Sequence, residues 1–159
     1  MPSERFLSIY LNDHLAGSTM GFELAKRAAS NNKGTSLGDS LTQLAVDIEE
    51  DRRFLEELMG ELGTQRNAVK GAALWVAEKV GRLKLNGQIT GYSNLSRLIE
   101  LEALALGVEG KITLWRTLMQ VRAKYPPLEA ANLEGLARRA EQQRSLLEEA
   151  HKAAAAQAL

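Results

Sequence analysis

One apolar stripe, in the segment 93–121, constrains the fold of this chain more than any other feature. Apolar residues recur there at alternating steps of three and four, which is the spacing of one face of an α-helix. The members of the stripe are Leu98, Leu101, Ala105, Val108, Ile112, Trp115 and Met119. At ~1.5 Å per residue such a helix spans about 40 Å, the length of a full helical bundle. The pattern predicts a long helix whose apolar face other helices must cover.

Three more segments keep the same rhythm and predict long helices at about 5–29, 41–62 and from 132 onward. Ser93 is placed to cap the central helix and Asn132 the last one, while Asp39 or Ser40 is placed to cap the second. In the first helix, Gly17 and Gly21 lie four residues apart, which predicts the close approach of a neighbouring helix.

A shorter helix is predicted at about 68–85, and no segment shows convincing strand alternation. The predicted fold class is therefore all-α, with four long helices in an antiparallel bundle, and residues 1–159 fit a single domain. If the long helices pair first with second and third with fourth, the segment of about 63–92 crosses over along the bundle. A simple up-down array of five helices is the alternative.

Composition excludes several classes of function. Lysine plus arginine equals aspartate plus glutamate at 20 each, so no overall charge favours nucleic acid or an acidic membrane surface. Cysteine is absent, which removes disulfides and thiolate metal sites. The sequence has no run of about 18 apolar residues that could span a membrane and no signal-peptide pattern at its start. We therefore expect a soluble cytoplasmic protein that binds neither membrane nor nucleic acid.

Polar residues interrupt the apolar rows at three positions. Asp51 lies mid-row in the second helix, Gln143 mid-row in the last, and Ser18 replaces a large apolar residue in the first. Glu102 and Glu109 border the central stripe one heptad apart. A buried carboxylate is costly unless it is paired or binds a metal, so Asp51 is either a structural ion-pair residue or a functional one.

The order and spacing of these helices resemble the ferritin-like superfamily, in its bacterial stress-associated branch. Local similarity includes LNDHLAG at residues 11–17 and FLEELMGELG at residues 54–63. The resemblance extends from about Tyr10 to Ala150. It implies two antiparallel helix pairs joined by a crossover segment that contains the shorter helix. Members that bind two metals usually supply glutamates from two helices and a Glu-x-x-His pair from each of the other two.

The ligand pattern of that family is incomplete in this chain. His14 and His151 lie near opposite ends of the sequence and belong to no ligand motif. The candidate metal ligands are Asp51, Glu102 and Glu109. In place of iron we expect a buried polar network, neutralised by Lys111 or Arg116. The expected members of this network are Ser18, Asp51, Glu102 or Glu109, and Gln143.

The first functional hypothesis is a ferritin-like bundle without a complete di-iron site, non-enzymatic and acting as a structural, stress-associated or interaction protein. It predicts no cofactor and a homodimer or a protein partner. The alternative is a carboxylate-rich storage protein or oxidase that binds iron or manganese. A third hypothesis is an interaction module that docks a partner through Trp75 or the shorter helix.

Overall fold

The computed structural model describes residues 2–64, 66 and 91–159, and every regular element among them is helical. The long helices are α1 (Pro2–Asn31), α2 (Ser36–Glu61), α3 (Asn94–Val121) and α5 (Leu133–Ala158), and α4 (Pro126–Ala130) is short. The all-α class and the four long helices are thus confirmed for the described residues. The shorter helix predicted at 68–85, Trp75 and most of the predicted crossover lie outside them.

The bundle consists of two helical hairpins. We call α1 with α2 the N-terminal hairpin, and α3 with α5 the C-terminal hairpin; the helices of each pack along one another. Arg27, near the end of α1, contacts Glu100, near the start of α3, so these two helices are antiparallel. A short turn joins α1 to α2, so these two helices are also antiparallel. Consequently α2 and α3 run in the same direction. The end of α2 and the start of α3 therefore lie at opposite ends of the bundle.

The predicted apolar faces form one core. In α3 the stripe is buried at five of its seven positions, while Ala105 and Met119 are partly buried. The apolar row of α2 is buried from Leu41 to Leu58, and Leu62 at its end is partly buried. The buried stripe residues of α3 are Leu98, Leu101, Val108, Ile112 and Trp115. Period-3.6 spacing thus identified the faces that hold the bundle together.

Two of the three predicted helix caps are confirmed. Ser93 and Ser96 form a capping box at the start of α3, and Asn132 Oδ1 accepts from the Gly135 amide at the start of α5. The predicted cap of α2 at Asp39 or Ser40 is wrong. The helix begins at Ser36, because Thr35 is extended and its Oγ1 accepts from the Gly38 amide at 3.0 Å.

The connection between α3 and α5 contains an element that the sequence did not predict. After α3, a 3-10 turn covers Arg122–Lys124, and Tyr125 is extended. The short helix α4 then starts on Pro126, where a missing amide hydrogen costs nothing because first-turn amides have no intrahelical acceptor. Leu128 of α4 is fully buried and contributes to the core.

Alanine substitutions at two glycines are expected to have opposite effects. A Cβ on Gly38 would lie 2.1 Å from the Asn32 carbonyl oxygen, so Gly38→Ala must displace the α1–α2 turn, at a cost of about 1–3 kcal/mol. A Cβ on Gly17 would meet no described atom within 4 Å, and the same holds for Gly21. The close approach predicted there is not found. Gly17→Ala should therefore stabilise the protein by about 0.5–1 kcal/mol, through helix propensity.

Urea unfolding of both variants, beside the parent protein, measures these changes. A loss of stability in Gly17→Ala as large as that in Gly38→Ala would contradict the open surroundings of Gly17.

Candidate functional site

Asp51 forms the centre of an ionic cluster inside the bundle. Its side chain is 2% exposed. The Lys111 ammonium of α3 donates to Asp51 Oδ2 at 2.7 Å and to Gln143 Oε1 of α5. Arg139, one helical turn before Gln143, donates to Asp51 Oδ1 and, at 2.9 Å, to Glu50 Oε2. We call Asp51, Lys111, Arg139 and Gln143 the central cluster.

The charges of the central cluster balance when Glu50 is included. Two carboxylates, Asp51 and Glu50, face two cations, Lys111 and Arg139. Taking Asp51 and Lys111 out of water is costly, and close pairing with hydrogen bonds on both groups offsets that cost. The cluster therefore ties α2 of one hairpin to both helices of the other.

Burial and pairing act in opposite directions on the two cations. Burial lowers the pKa of the Lys111 ammonium, while the charge of Asp51 and its hydrogen bond oppose that shift. For Arg139, burial also acts to lower the pKa, but the hydrogen bond and charge of Asp51, the hydrogen bond to Glu50 and the charge of Asp47 together raise it. The two pKa values shift in opposite directions because the Lys111 side chain is more deeply buried than the Arg139 side chain.

Glu102 and Glu109 lie on the surface, away from Asp51. Glu102 is 53% exposed, and its Oε1 lies 2.9 Å from His151 Nε2 of α5. Glu109 is 51% exposed, and its Oε2 accepts from Arg144 at 3.2 Å. The structure therefore does not bring the three predicted metal ligands together.

Of the predicted polar network, the structure brings together Asp51 and Gln143, joined through Lys111. Ser18 is half-buried, and its hydroxyl donates to the Leu15 carbonyl within α1, at 2.7 Å. This is the usual hydrogen bond of a serine within a helix to a carbonyl of the preceding turn, so Ser18 does not join Asp51 and Gln143.

The two surface glutamates belong to a ladder of ion pairs between α3 and α5. In order along α3 and into the 3-10 turn that follows it, the pairs are Glu102–His151, which is ionic only when the imidazole is protonated, Glu109–Arg144, Arg116–Glu141 and Arg122–Glu134. The first two place the acid on α3, and the last two place it on α5. Flanking positions beside the apolar seam of paired helices carry such ion pairs. This accounts for the heptad spacing of Glu102 and Glu109, and for Arg116 lying outside the central cluster.

The donor set does not fit a two-metal centre. In the parts of the chain that the structure describes, no three histidine, aspartate or glutamate side chains lie close enough together to hold a metal ion. The buried carboxylate of Asp51 instead contacts two cationic side chains, Lys111 and Arg139. A divalent ion at this carboxylate would be repelled by both.

A second buried carboxylate, Glu100 of α3, was not predicted. It is 3% exposed, and three groups donate to it. Arg27 Nε and Asn31 Nδ2 of α1 reach Glu100 Oε1 at 3.1 and 3.2 Å. The Tyr92 hydroxyl reaches Oε2 at 2.9 Å. Both carboxylate oxygens are therefore satisfied at the end of the bundle where α1 stops and α3 begins.

Asn32 extends this arrangement. It is buried, its Nδ2 donates to the Tyr92 hydroxyl at 3.0 Å, and its Oδ1 accepts from Arg97 Nε at 2.7 Å. The guanidinium of Arg97 also lies over the Tyr92 ring. We call the set the Glu100 cluster. Its members are Arg27, Asn31, Asn32, Tyr92, Arg97 and Glu100.

The Glu100 cluster predicts a pH dependence at alkaline pH. Burial raises the pKa of Tyr92 from 10.0 to about 12; the Asn32 hydrogen bond opposes this and the Glu100 charge adds to it. The folded protein keeps this proton where the unfolded chain loses it, so the stabilisation is complete below pH 10 and is lost as pH rises to about 12.

Tyr92→Phe should reduce the fall in unfolding free energy over that interval, measured by urea unfolding at successive pH values. Tyr125→Phe is the control, since it removes a hydroxyl outside the cluster. If the unfolding free energy of Tyr92→Phe fell with pH as steeply as that of the parent protein, Tyr92 would not be the source of the alkaline pH dependence.

Sequence reasoning missed Arg139 and Glu100. Arg139 precedes Gln143 by four residues, so both lie on one face of α5, and that spacing was an available signal. Glu100 lies four residues before the buried Leu104, on a second inward row of α3 beside the predicted stripe, so spacing offered a signal here too. Its partners on α1 could not be read from the sequence of α3, because they depend on how the two helices pack.

In the described part of the chain, no helix is both long enough and apolar enough to cross a membrane. Comparisons with models of protein families, with curated proteins and with solved structures each gave no match. The ferritin-like resemblance therefore stays a prediction.

Proposed function

We propose that this protein is a non-enzymatic bundle of the ferritin-like type, in which a lysine ammonium takes the place of a metal cation. The observation that carries the proposal is the position of Lys111. Its Nζ lies between the Asp51 carboxylate and the Gln143 amide oxygen, in the middle of the bundle. It supplies the positive charge that a buried carboxylate requires.

The arrangement of the helices supports the ferritin-like part of the proposal. Two antiparallel hairpins pack side by side, and α2 and α3 run in the same direction. This is the order of directions expected when a crossover segment joins two helix pairs.

The polar groups of the core support a structural role. Asp51 and Glu100 are both buried and accept hydrogen bonds from cationic side chains, as expected of carboxylates that hold helices of a core together. We propose that the protein acts in the bacterial cytoplasm as a homodimer or with a protein partner, in a structural or stress-associated role.

Metal analysis tests the proposal. We expect iron, manganese and zinc well below one ion per chain in protein purified without chelators, and equally low values in Asp51→Ala. Glu148→Ala, which removes an exposed carboxylate of α5, is the control. Stoichiometric iron or manganese that is lost in Asp51→Ala but kept in Glu148→Ala would overturn the proposal. It would support the carboxylate-rich storage protein or oxidase instead.

A further inference from the structure

We propose that two copies of this chain pair through the outward side of α3, antiparallel and about a twofold axis. The inference rests on the self-association included in the proposed function, and it names the surface that carries it. We call this surface the outer face of α3. Its six members recur at steps of four and three on the side opposite the buried stripe, and they are Ile99, Ala103, Leu106, Gly110, Thr113 and Thr117.

The outer face carries no charge along the whole of α3, a helix that the structure describes without a gap. The outward side of a bundle helix is normally polar or charged. That of α5 is so, with the exposed residues Arg138, Gln142, Ser145, Glu149 and Lys152. The charged residues of α3 instead contact α1, α2 or α5, and they are Arg97, Glu100, Glu102, Glu109, Lys111 and Arg116. The outer face therefore has the composition of a surface that a second chain covers.

A protruding leucine and a glycine notch make the outer face complementary to itself. The Leu106 side chain is 66% exposed. One turn further along α3, a Cβ added to Gly110 would meet no described atom within 4 Å. In an antiparallel pair centred midway between these two residues, Leu106 of each copy lies opposite Gly110 of the other. The same spacing places Ala103 opposite Thr113. Large side chains thus meet small ones, as knobs-into-holes packing requires.

A parallel pair lacks this fit. It would place Leu106 opposite Leu106 of the second copy and Gly110 opposite Gly110, and the gap at the glycines would lose packing contacts. The antiparallel order also suits the charges at the edge of the contact. By the same spacing, Glu102 of one copy lies nearest Arg116 of the other. Glu109, which lies near the twofold axis, is already paired with Arg144 of α5.

The size of the contact predicts a weak dimer. From Ile99 to Thr117 the outer face runs about 27 Å, at ~1.5 Å per residue. A contact between single helices of this length is smaller than the ~800 Å² per partner of an ordinary stable interface. We therefore expect a dissociation constant on the order of 10 µM, with mostly monomer at about 1 µM and mostly dimer at about 500 µM.

Sedimentation velocity over that concentration range tests the inference, since the mass should rise towards twice the 17.4 kDa of the chain. Leu106→Glu places a charge in the middle of the contact on both copies, and it should raise the dissociation constant at least about 10-fold. Phe6→Glu is the matched control, because Phe6 of α1 is 67% exposed and lies off the outer face. It should leave the dissociation constant unchanged.

A glycine pair separates loss of the contact from loss of the fold. Gly110→Gln fills the notch, so it should weaken the dimer, although it raises helix propensity and should raise the urea midpoint of the monomer. Gly17→Gln makes the same change at an equally open position of α1. It should raise the urea midpoint and leave the dimer intact.

Cross-linking tests the orientation, because the chain has no cysteine of its own. Ala103→Cys and Thr113→Cys, made in separate chains, lie opposite each other only in the antiparallel pair. A short thiol cross-linker should therefore link the mixture of the two variants and neither variant alone.

A chain that stays monomeric up to about 500 µM overturns the inference, while metal analysis still decides the role of Lys111. Equal effects of Leu106→Glu and Phe6→Glu on the dissociation constant would assign the dimer to another surface. Cross-links within a single variant would show a parallel pair, and a dimer without cross-links in the mixture would exclude the outer face. Each of these results also overturns the inference.

Discussion

Lys111→Met is expected to lower the free energy of unfolding by about 3 kcal/mol, because it leaves a buried carboxylate without its closest cation. Asp51 would keep Arg139, but that guanidinium is partly exposed and is shared with Glu50. Gln143 would lose the donor to its amide oxygen. Urea unfolding followed by far-UV circular dichroism measures the change.

A double variant separates the loss of pairing from the loss of side-chain packing. Asp51→Leu with Lys111→Met removes both buried charges, so it should be more stable than Lys111→Met alone. Arg144→Met, which breaks the exposed pair with Glu109, should cost no more than about 1 kcal/mol. Additive losses for Asp51→Leu and Lys111→Met would show that the two side chains are not coupled.

The second large effect is expected at Glu100, two residues before a glutamate that should matter little. Glu100→Ala removes the acceptor of three hydrogen bonds and leaves the partly buried Arg27 and Tyr92 without this acceptor, at a cost of about 2–3 kcal/mol. Glu102→Ala removes only an exposed partner of His151 and should cost less than about 1 kcal/mol.

These two variants differ by two positions on the same helix, so helix propensity affects them equally. Parallel urea unfolding at neutral pH gives the difference between them. Equal losses, or a larger loss for Glu102→Ala, would contradict the assignment of Glu100 as the buried carboxylate. Glu100→Gln should recover part of the loss, because its amide oxygen can still accept the hydrogen bonds of Arg27 and Asn31.

The helices could be predicted because their signals are local. The stripe of α3 from Leu98 to Met119 depends only on spacing, and the caps at Ser93 and Asn132 depend on side-chain chemistry beside the helix start. The start of α2 was placed too late, because Ser36 to Ser40 resemble a loop in composition. They nevertheless form the first turn of the helix, because Thr35 acts as its N-cap.

The partners of Asp51 could be predicted only in part, because they depend on which helices meet. Lys111 lies one heptad from both Leu104 and Leu118, which are buried, so spacing places it on a second inward row of α3. Arg139 could be placed on the same face of α5 as Gln143 by spacing, but its pairing with Asp51 needed knowledge that α5 lies beside α2. Sequence spacing orders residues along a helix but does not say which neighbour faces them.

Glu102 and Glu109 show why acidic spacing is ambiguous. One heptad between carboxylates beside an apolar stripe fits a metal site in the bundle core, and it fits equally well a row that borders another helix. A rotation of less than a quarter turn about the helix axis separates the two positions. Only the packing of α5 against α3 assigned these side chains to the border, opposite His151 and Arg144.

The reversal of sign along the α3–α5 ladder has a consequence for register. Two helices with heptad-spaced apolar rows pack almost equally well when one slides by seven residues, since every apolar position finds an equivalent one. Slid by one heptad, Arg116 would face Arg144, and two cations would meet on the seam. The change of sign between Glu109 and Arg116 therefore removes a degeneracy that the hydrophobic pattern leaves open.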